Sequence, residues 1–208
     1  MGAGHCEAIL VTVDYLGRPN VAPVGLELLP GAYGCSLRLR LYYPTRTSLN
    51  VISTRELTIN MTSNPRLVYA ALLHPNSLRL KPSKLVTPPS IDHEDVALVI
   101  ECVARSQALD GKGWLTLLAA PKYLSVSEAR FKPLSRAEAA LLEMLIAYTK
   151  LLFFAGHDED QAVSALNVLL AEYVTLSRLG DEGLRRIAEE VMELAAIPAS
   201  LLGYRVEV

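Results

Sequence analysis

The densest run of chemically useful side chains is Pro44-Thr45-Arg46-Thr47-Ser48-Leu49-Asn50, which gathers hydroxyls, a guanidinium and an amide. Leu49, Val51 and Ile52 that accompany it have the spacing of a short helix with a threonine at its N-cap. The first N–H groups of a helix lack partners and carry the positive end of its dipole, so this junction suits an anion. Arg46 would add a bidentate, charge-assisted contact to a phosphate. The same threonine serves equally as an ordinary cap with Arg46 in solvent, and the segment alone leaves both readings open. A second set lies in the extended run 20–29, where Pro23 and Gly25 interrupt a strand. Proline cannot donate to a ladder, so Pro23 marks an edge, a bulge or a place where something approaches the backbone closely. Asn60 and Thr62, two apart on a third strand-like run, share one face. Taken singly, Asn20 also reads as a turn former and Asn60 as a partner for neighbouring backbone.

Other chemistries lack their residues. No G-x-G-x-x-G opens a helix after a strand, and neither a P-loop nor a G-x-S-x-G elbow occurs. The four histidines are dispersed without H-x-x-x-H spacing, and His93-Glu94-Asp95, the one dense cluster of possible metal ligands, reads as a solvated loop before a strand. No metal is expected. Cys6, Cys35 and Cys102 fit neither a C-x-x-C pair nor a disulfide framework, which suits a reducing cytoplasm. The net charge of -2, from 20 basic and 22 acidic residues, lacks the positive field of a nucleic-acid binder. With 51% apolar and 20% charged residues the chain should fold, and 208 residues suffice for one or two domains. The most apolar stretch, 137–155, carries Glu138, Glu143 and Lys150 and is expected to be a buried amphipathic helix, not a membrane span. The first Lys or Arg is Arg18, after Glu7 and Asp14, so no secretory signal is read.

The elements that must position these residues change character along the chain. Residues 1–128 carry β-type runs broken by Gly, Pro and Asn: 8–14, 20–29, 33–43, 56–62, 96–108 and 114–123. In the third, Leu37, Leu39 and Leu41 alternate with Ser36, Arg38 and Arg40, placing the leucines on one face. Asp110-Gly111-Lys112-Gly113 is a hairpin signal. Residues 66–73 suit a second short helix, and 74–94, with Pro75, Pro82, Pro88 and Pro89, is expected to be a long functional or mobile loop. From residue 129 the period becomes helical. A capping box at Ser135 and Glu138 precedes a helix over 139–154, with Leu142, Leu145, Ile146 and Thr149 as its stripe. Asp158 and Gln161 begin a helix to about Leu179, stopped by Gly180, and a third covers 181–195 and ends near Pro198. Strands followed by helices predict an α+β chain with a barrel over 1–128 and a helical C-terminal domain over 129–208.

The runs Ile9-Leu-Val-Thr-Val13, Gly17-Arg-Pro-Asn-Val-Ala-Pro-Val-Gly25, Arg46-Thr47 with Asn50, and Ile59-Asn-Met-Thr62 resemble FMN-binding split-barrel proteins. Within that group the chain is similar to a microbial, largely archaeal family of unknown biological function. The resemblance covers 8–73 and continues through Ser135-Arg136-Ala137, Glu143 and Thr149-Lys150, where that family carries a helical appendage. It implies a six-stranded split barrel that forms a homodimer with FMN at the subunit interface. It further implies that Asn20, Val21, Ala22, Pro23 and Val24 lie against the isoalloxazine. Thr45, Arg46, Thr47 and Asn50 would hold the phosphate, and Asn60 and Thr62 would reach ribityl or ring oxygens. Two departures stand out: Ser63-Asn64-Pro65 occupies an expected acidic turn, and Ser135 replaces an expected asparagine. Trp114, Tyr33, Tyr42 and Tyr43 could stack on a flavin or fill a core or interface. The implied activity is an FMN-dependent oxidoreductase of the flavin-reductase or nitroreductase-like type, using NADH, NADPH or a deazaflavin as donor. The cofactor would carry the redox chemistry, so no catalytic side chain is singled out. A flavin carrier or sensor without turnover, and an interaction protein that has lost the ligand, are the alternatives.

Overall fold

Period-two alternation builds the first part of the chain. A computed structural model describes residues 5–31, 34–127 and 136–204. Six long strands form there: β1 (His5–Val13), β2 (Pro19–Gly31), β3 (Gly34–Tyr42), β4 (Glu56–Thr62), β7 (Val96–Leu109) and β8 (Trp114–Val126). They close into an antiparallel barrel in the order β1-β2-β3-β8-β7-β4. Alternate residues of every strand face its interior: Ala8 and Leu10, Val24 and Leu26, Leu37, Leu39 and Leu41, Leu57 and Ile59, Ile100 and Cys102, Leu115 and Leu117. The leucine face expected of β3 is therefore the core face. Among the described residues, neither Cys6 nor Cys102 forms a disulfide.

Two short helices dress the barrel. Helix α1 (Arg46–Thr54) touches β1, β2 and β3 and sends Val51 into the core, and α2 (Pro65–Leu73) packs on β1 and β2. Asn64 caps α2, accepting from the Arg66 N–H at 2.9 Å, with Pro65 as the first helical residue. The sequence Ser63-Asn64-Pro65 is thereby explained as a helix start.

The stretch 74–94 departs from the expected open loop. It contains a 3-10 turn at Pro75–Ser77 and two short paired strands, β5 (Leu80–Lys81) and β6 (Ser90–Ile91). Its later part is a strap fixed to β4 by three evenly spaced rungs. The Thr87 N–H donates to Glu56 Oε2 at 2.8 Å, Thr58 Oγ1 donates to the Pro89 carbonyl at 2.6 Å, and the Ile91 N–H donates to Asn60 Oδ1 at 2.8 Å. Each rung joins positions 31 apart, so the strap runs parallel to β4 and uses every second β4 side chain. Glu101 of β7, only 3% exposed, adds a fourth anchor by accepting from the N–H groups of Lys84 (2.8 Å) and Leu85 (2.6 Å). Local periodicity cannot reveal pairing at such separation.

The chain divides into two compact units, residues 1–130 and 131–208. The second holds α3 (Arg136–Phe154), α4 (Glu159–Leu179) and α5 (Glu182–Leu201). Its stripe on α3 differs from expectation: Ala137, Ala140, Leu141, Met144, Leu145, Tyr148 and Leu151 are buried, while Leu142, Ile146 and Thr149 are only partly so. Apolar residues surround α3 almost completely, so several stripes fit its sequence. Helix α5 runs through Pro198 to Leu201, past the expected end. A proline in the last turn removes only one helical hydrogen bond, and Pro198 is itself buried. Asp158 caps α4 as expected, accepting from the Gln161 N–H at 3.1 Å. By length and composition α4 could cross a membrane, but it carries Glu172 and Arg178 and buries Ala162, Ala165, Leu166, Leu169 and Leu176 where it packs with α3. The expected Ser135 cap and Tyr33 lie outside the described residues.

Candidate functional site

β2 changes neighbours halfway along. It pairs with β1 from Pro19 to Glu27, but with β3 only from Leu26 to Gly31. Beyond Leu39, β3 pairs only with β8, so β2 and β3 part company and the 20–25 edge of β2 faces no strand. Among the described residues, the backbone groups on that open edge have no hydrogen-bond partner. This is the split in the barrel, and Pro23 sits within it, as a ladder-breaking residue must.

The α1 N-terminus packs beside that split. Thr45 is its N-cap, accepting from the Ser48 N–H at 3.3 Å, while Ser48 Oγ accepts from the Thr45 N–H at 2.9 Å. Thr45 Oγ1 also donates to the Tyr42 carbonyl at 2.8 Å, tying the cap to the end of β3. The cap satisfies Ser48 but leaves the N–H groups of Arg46 and Thr47 without acceptors among the described residues. Arg46 is exposed, and its guanidinium has no ion pair or hydrogen bond there. A free cation and two free N–H donors at the positive end of a helix form an anion cradle.

A clasp of four side chains joins this cradle to β2. Thr12 and Asn20 are direct cross-strand partners on β1 and β2, and by alternation they continue the inward-facing rows of Ala8 and Leu10 and of Leu26 and Val24. Thr47 and Asn50 lie three apart on the buried face of α1. Asn20 Nδ2 donates to Thr47 Oγ1 at 2.9 Å, and Asn50 Nδ2 donates to Thr12 Oγ1 at 3.1 Å. Thr12 is wholly buried and Asn50 is 5% exposed.

The residues singled out in the sequence therefore separate into two sets. Asn20, Thr45, Arg46, Thr47 and Asn50 come together, with the 20–24 backbone alongside. Asn60 does not join them: it is fully buried, its Oδ1 accepts from Ile91 and its Nδ2 donates to the Ile9 carbonyl at 3.1 Å. Its amide ties β1, β4 and the strap together. Thr62 Oγ1 accepts from the Asn64 N–H at 3.0 Å, in the turn that starts α2. Trp114 packs on Tyr42 with ring centroids 4.4 Å apart, and the Arg40 guanidinium lies 4.6 Å from its centroid. His93 Nδ1 accepts from the Asp95 N–H at 3.1 Å, Asp95 accepts from Asn64 at 2.7 Å, and the described residues contain no group of three metal-ligating side chains. Sequence reasoning passed over Thr12. The one available signal was a polar residue on the inward row of an otherwise apolar strand.

The architecture is a six-stranded split barrel followed by a helical unit. Residues 6–120 match the family described as the N-terminal domain of a protein of unknown function, DUF447, and the chain belongs to that family. No curated protein matches the sequence. Among solved structures, the chain is similar to FMN-bound protein MM1853 of Methanosarcina mazei, from the same family, with a TM-score of 0.72 and 18% identity over 92% of this chain and 95% of that one. It is similar also to the 2-nitrobenzoate 2-nitroreductase NbaA of Pseudomonas fluorescens, with a TM-score of 0.52 and 17% identity over 59% and 64% of the two chains. A third likeness is to the flavin reductase HpaC in complex with NADP+, with a TM-score of 0.52 and 15% identity over 61% and 81%.

Proposed function

We propose that the protein binds FMN at the split between β2 and α1 and works as a flavin-dependent oxidoreductase. The observation that carries this reading is the union of the two parts such a ligand needs. An anion cradle at Arg46 and Thr47 is hydrogen-bonded through Asn20 to an unpaired strand edge. The free N–H groups and the Arg46 guanidinium fit a terminal phosphate, and the free backbone groups of 20–24 fit the polar edge of a planar ring. Thr45 shapes the cradle through its cap. Asn60 is withdrawn from the ligand set, because its buried amide is engaged by Ile9 and Ile91; Thr62 stays in it, since its hydroxyl accepts from the Asn64 N–H and keeps its O–H to donate. Bound FMN would supply the hydride and electron transfer, while this chain binds, orients and shields it. The FMN-bound relative and the reductase neighbours support this reading.

Its finer parts are a homodimer with the flavin at the subunit interface, NADH, NADPH or a deazaflavin as donor, and residence in a reducing cytoplasm, which the unbridged Cys6 and Cys102 suit. The visible spectrum of the purified protein tests the core of the proposal. Flavin absorbance, released by heat and identified as FMN, is expected; a colourless protein that ignores added FMN overturns it and favours an interaction protein. Anaerobic bleaching by a donor then separates an oxidoreductase from a carrier or sensor. Sedimentation as a monomer at micromolar concentration would remove the interface site.

A further inference from the structure

The clasp raises a question the ligand reading does not answer: why two polar bonds are buried at the end of an apolar barrel. A single bond between α1 and the β1–β2 ladder would act as a pivot. Two bonds, from a directly opposed strand pair to an i, i+3 helix pair, fix both the rotation of α1 about its axis and its distance from β2. Arg46 and the free N–H groups sit within one turn of Thr47, so whatever fixes the helix fixes where they point. Asn50, with its amide nitrogen bound to a wholly buried Thr12, is turned toward the barrel.

We infer that Thr12 and Asn50 are positioning residues that hold the α1 anion cradle in register with the open edge of β2, and that Asn50 itself does not bind the phosphate. This rests on the FMN reading above. A misplaced cradle should weaken the grip on the phosphate and leave the ring's contacts with the strand edge intact. The diagnostic quantity is thus the preference for FMN over riboflavin, which lacks the phosphate.

The test is to titrate wild type, Thr12→Val and Thr12→Ser with FMN and with riboflavin and follow flavin fluorescence. Thr12→Val keeps the shape but removes the acceptor for Asn50. Its preference for FMN over riboflavin should fall by about tenfold, the factor expected of one hydrogen bond. Thr12→Ser, which keeps the hydroxyl, should restore the preference. An unchanged preference in folded Thr12→Val, even with a lowered melting temperature, would show the clasp to be merely structural and overturn the inference. Wild-type protein that binds neither flavin would overturn the FMN reading itself, and this inference with it. If Thr12→Val does not fold, Thr12→Ala removes the same acceptor for Asn50 and is judged by the same ratio, with the same loss expected and the same constancy overturning the inference.

Discussion

Ile91 donates its backbone N–H to the side-chain oxygen of Asn60 at 2.8 Å, and the same amide reaches the Ile9 carbonyl at 3.1 Å, so one β4 side chain links the strap to β1. An asparagine read in the sequence as facing a ligand is instead a staple between three segments. Replacing it leaves a buried N–H and a buried carbonyl without their partner. Asn60→Ala should therefore lower the unfolding free energy by about 2–6 kcal/mol, taking each orphaned group at the usual desolvation cost. Urea denaturation against wild type checks this, and a loss well under 1 kcal/mol would mean that water replaces the amide.

Glu101 grips the strap through two backbone N–H groups, and each bond to a carboxylate is stronger than one to a neutral acceptor. Glu101→Gln turns one acceptor into a donor facing an N–H. The strap should loosen around Lys84, so trypsin should cut after Lys84 faster in the variant than in wild type. Lys81 is an internal control, since Pro82 follows it and blocks cleavage there. Equal cleavage rates would remove Glu101 as an anchor.

Arg46 is exposed and makes no ion pair among the described residues, so its removal should cost little stability and much binding. For Arg46→Ala the FMN affinity should drop by about 10- to 100-fold, the range of a charge-assisted hydrogen bond. Wild-type affinity should also weaken with added salt, and the variant's should respond less, since the screened charge is gone. Isothermal titration at two ionic strengths separates these effects.

In the hairpin between β7 and β8, Asp110 Oδ1 accepts from the Lys112 N–H at 2.8 Å and from the Trp114 N–H at 3.1 Å. The Lys112 N–H holds the Asp110 carboxyl below the ordinary aspartate range; desolvation, next in size, opposes it, and the Trp114 N–H and the Arg40 charge add to the lowering. A depressed value in the folded state means that the stabilisation is present above the ordinary aspartate range and is lost as pH falls through the lowered one. Trp114, the single tryptophan, should report this as an emission change in acid that is absent in Asp110→Asn. A change centred above the ordinary range would contradict the assignment.

Legibility followed the range of the interactions involved. β4 was read to its end residues, Thr45 as the α1 cap and Asp158 as the α4 cap, because alternation and capping are written within a few positions. Gly180 ends α4 as its sequence position predicts, yet its backbone is not left-handed. A side chain there would meet the Leu176 carbonyl oxygen at 2.6 Å, so glycine is required by close packing. The strap, the role of Asn60 and the Thr12–Asn50 bond escaped because each depends on residues more than thirty positions apart. The resemblance to a family brought Asn20 and Arg46 together before the fold did. It also drew in Asn60, whose type suits a ligand as well as it suits a staple.

An unpaired strand edge is ordinarily an invitation to stick, since another chain can dock along it and extend the sheet. On β2 that invitation is spoiled by Pro23, whose ring interrupts any regular run of donors. A flat heterocycle needs only one or two hydrogen bonds and is not turned away by the interruption. On the proposed reading, the proline would discourage strand docking while leaving the edge usable by a flavin ring.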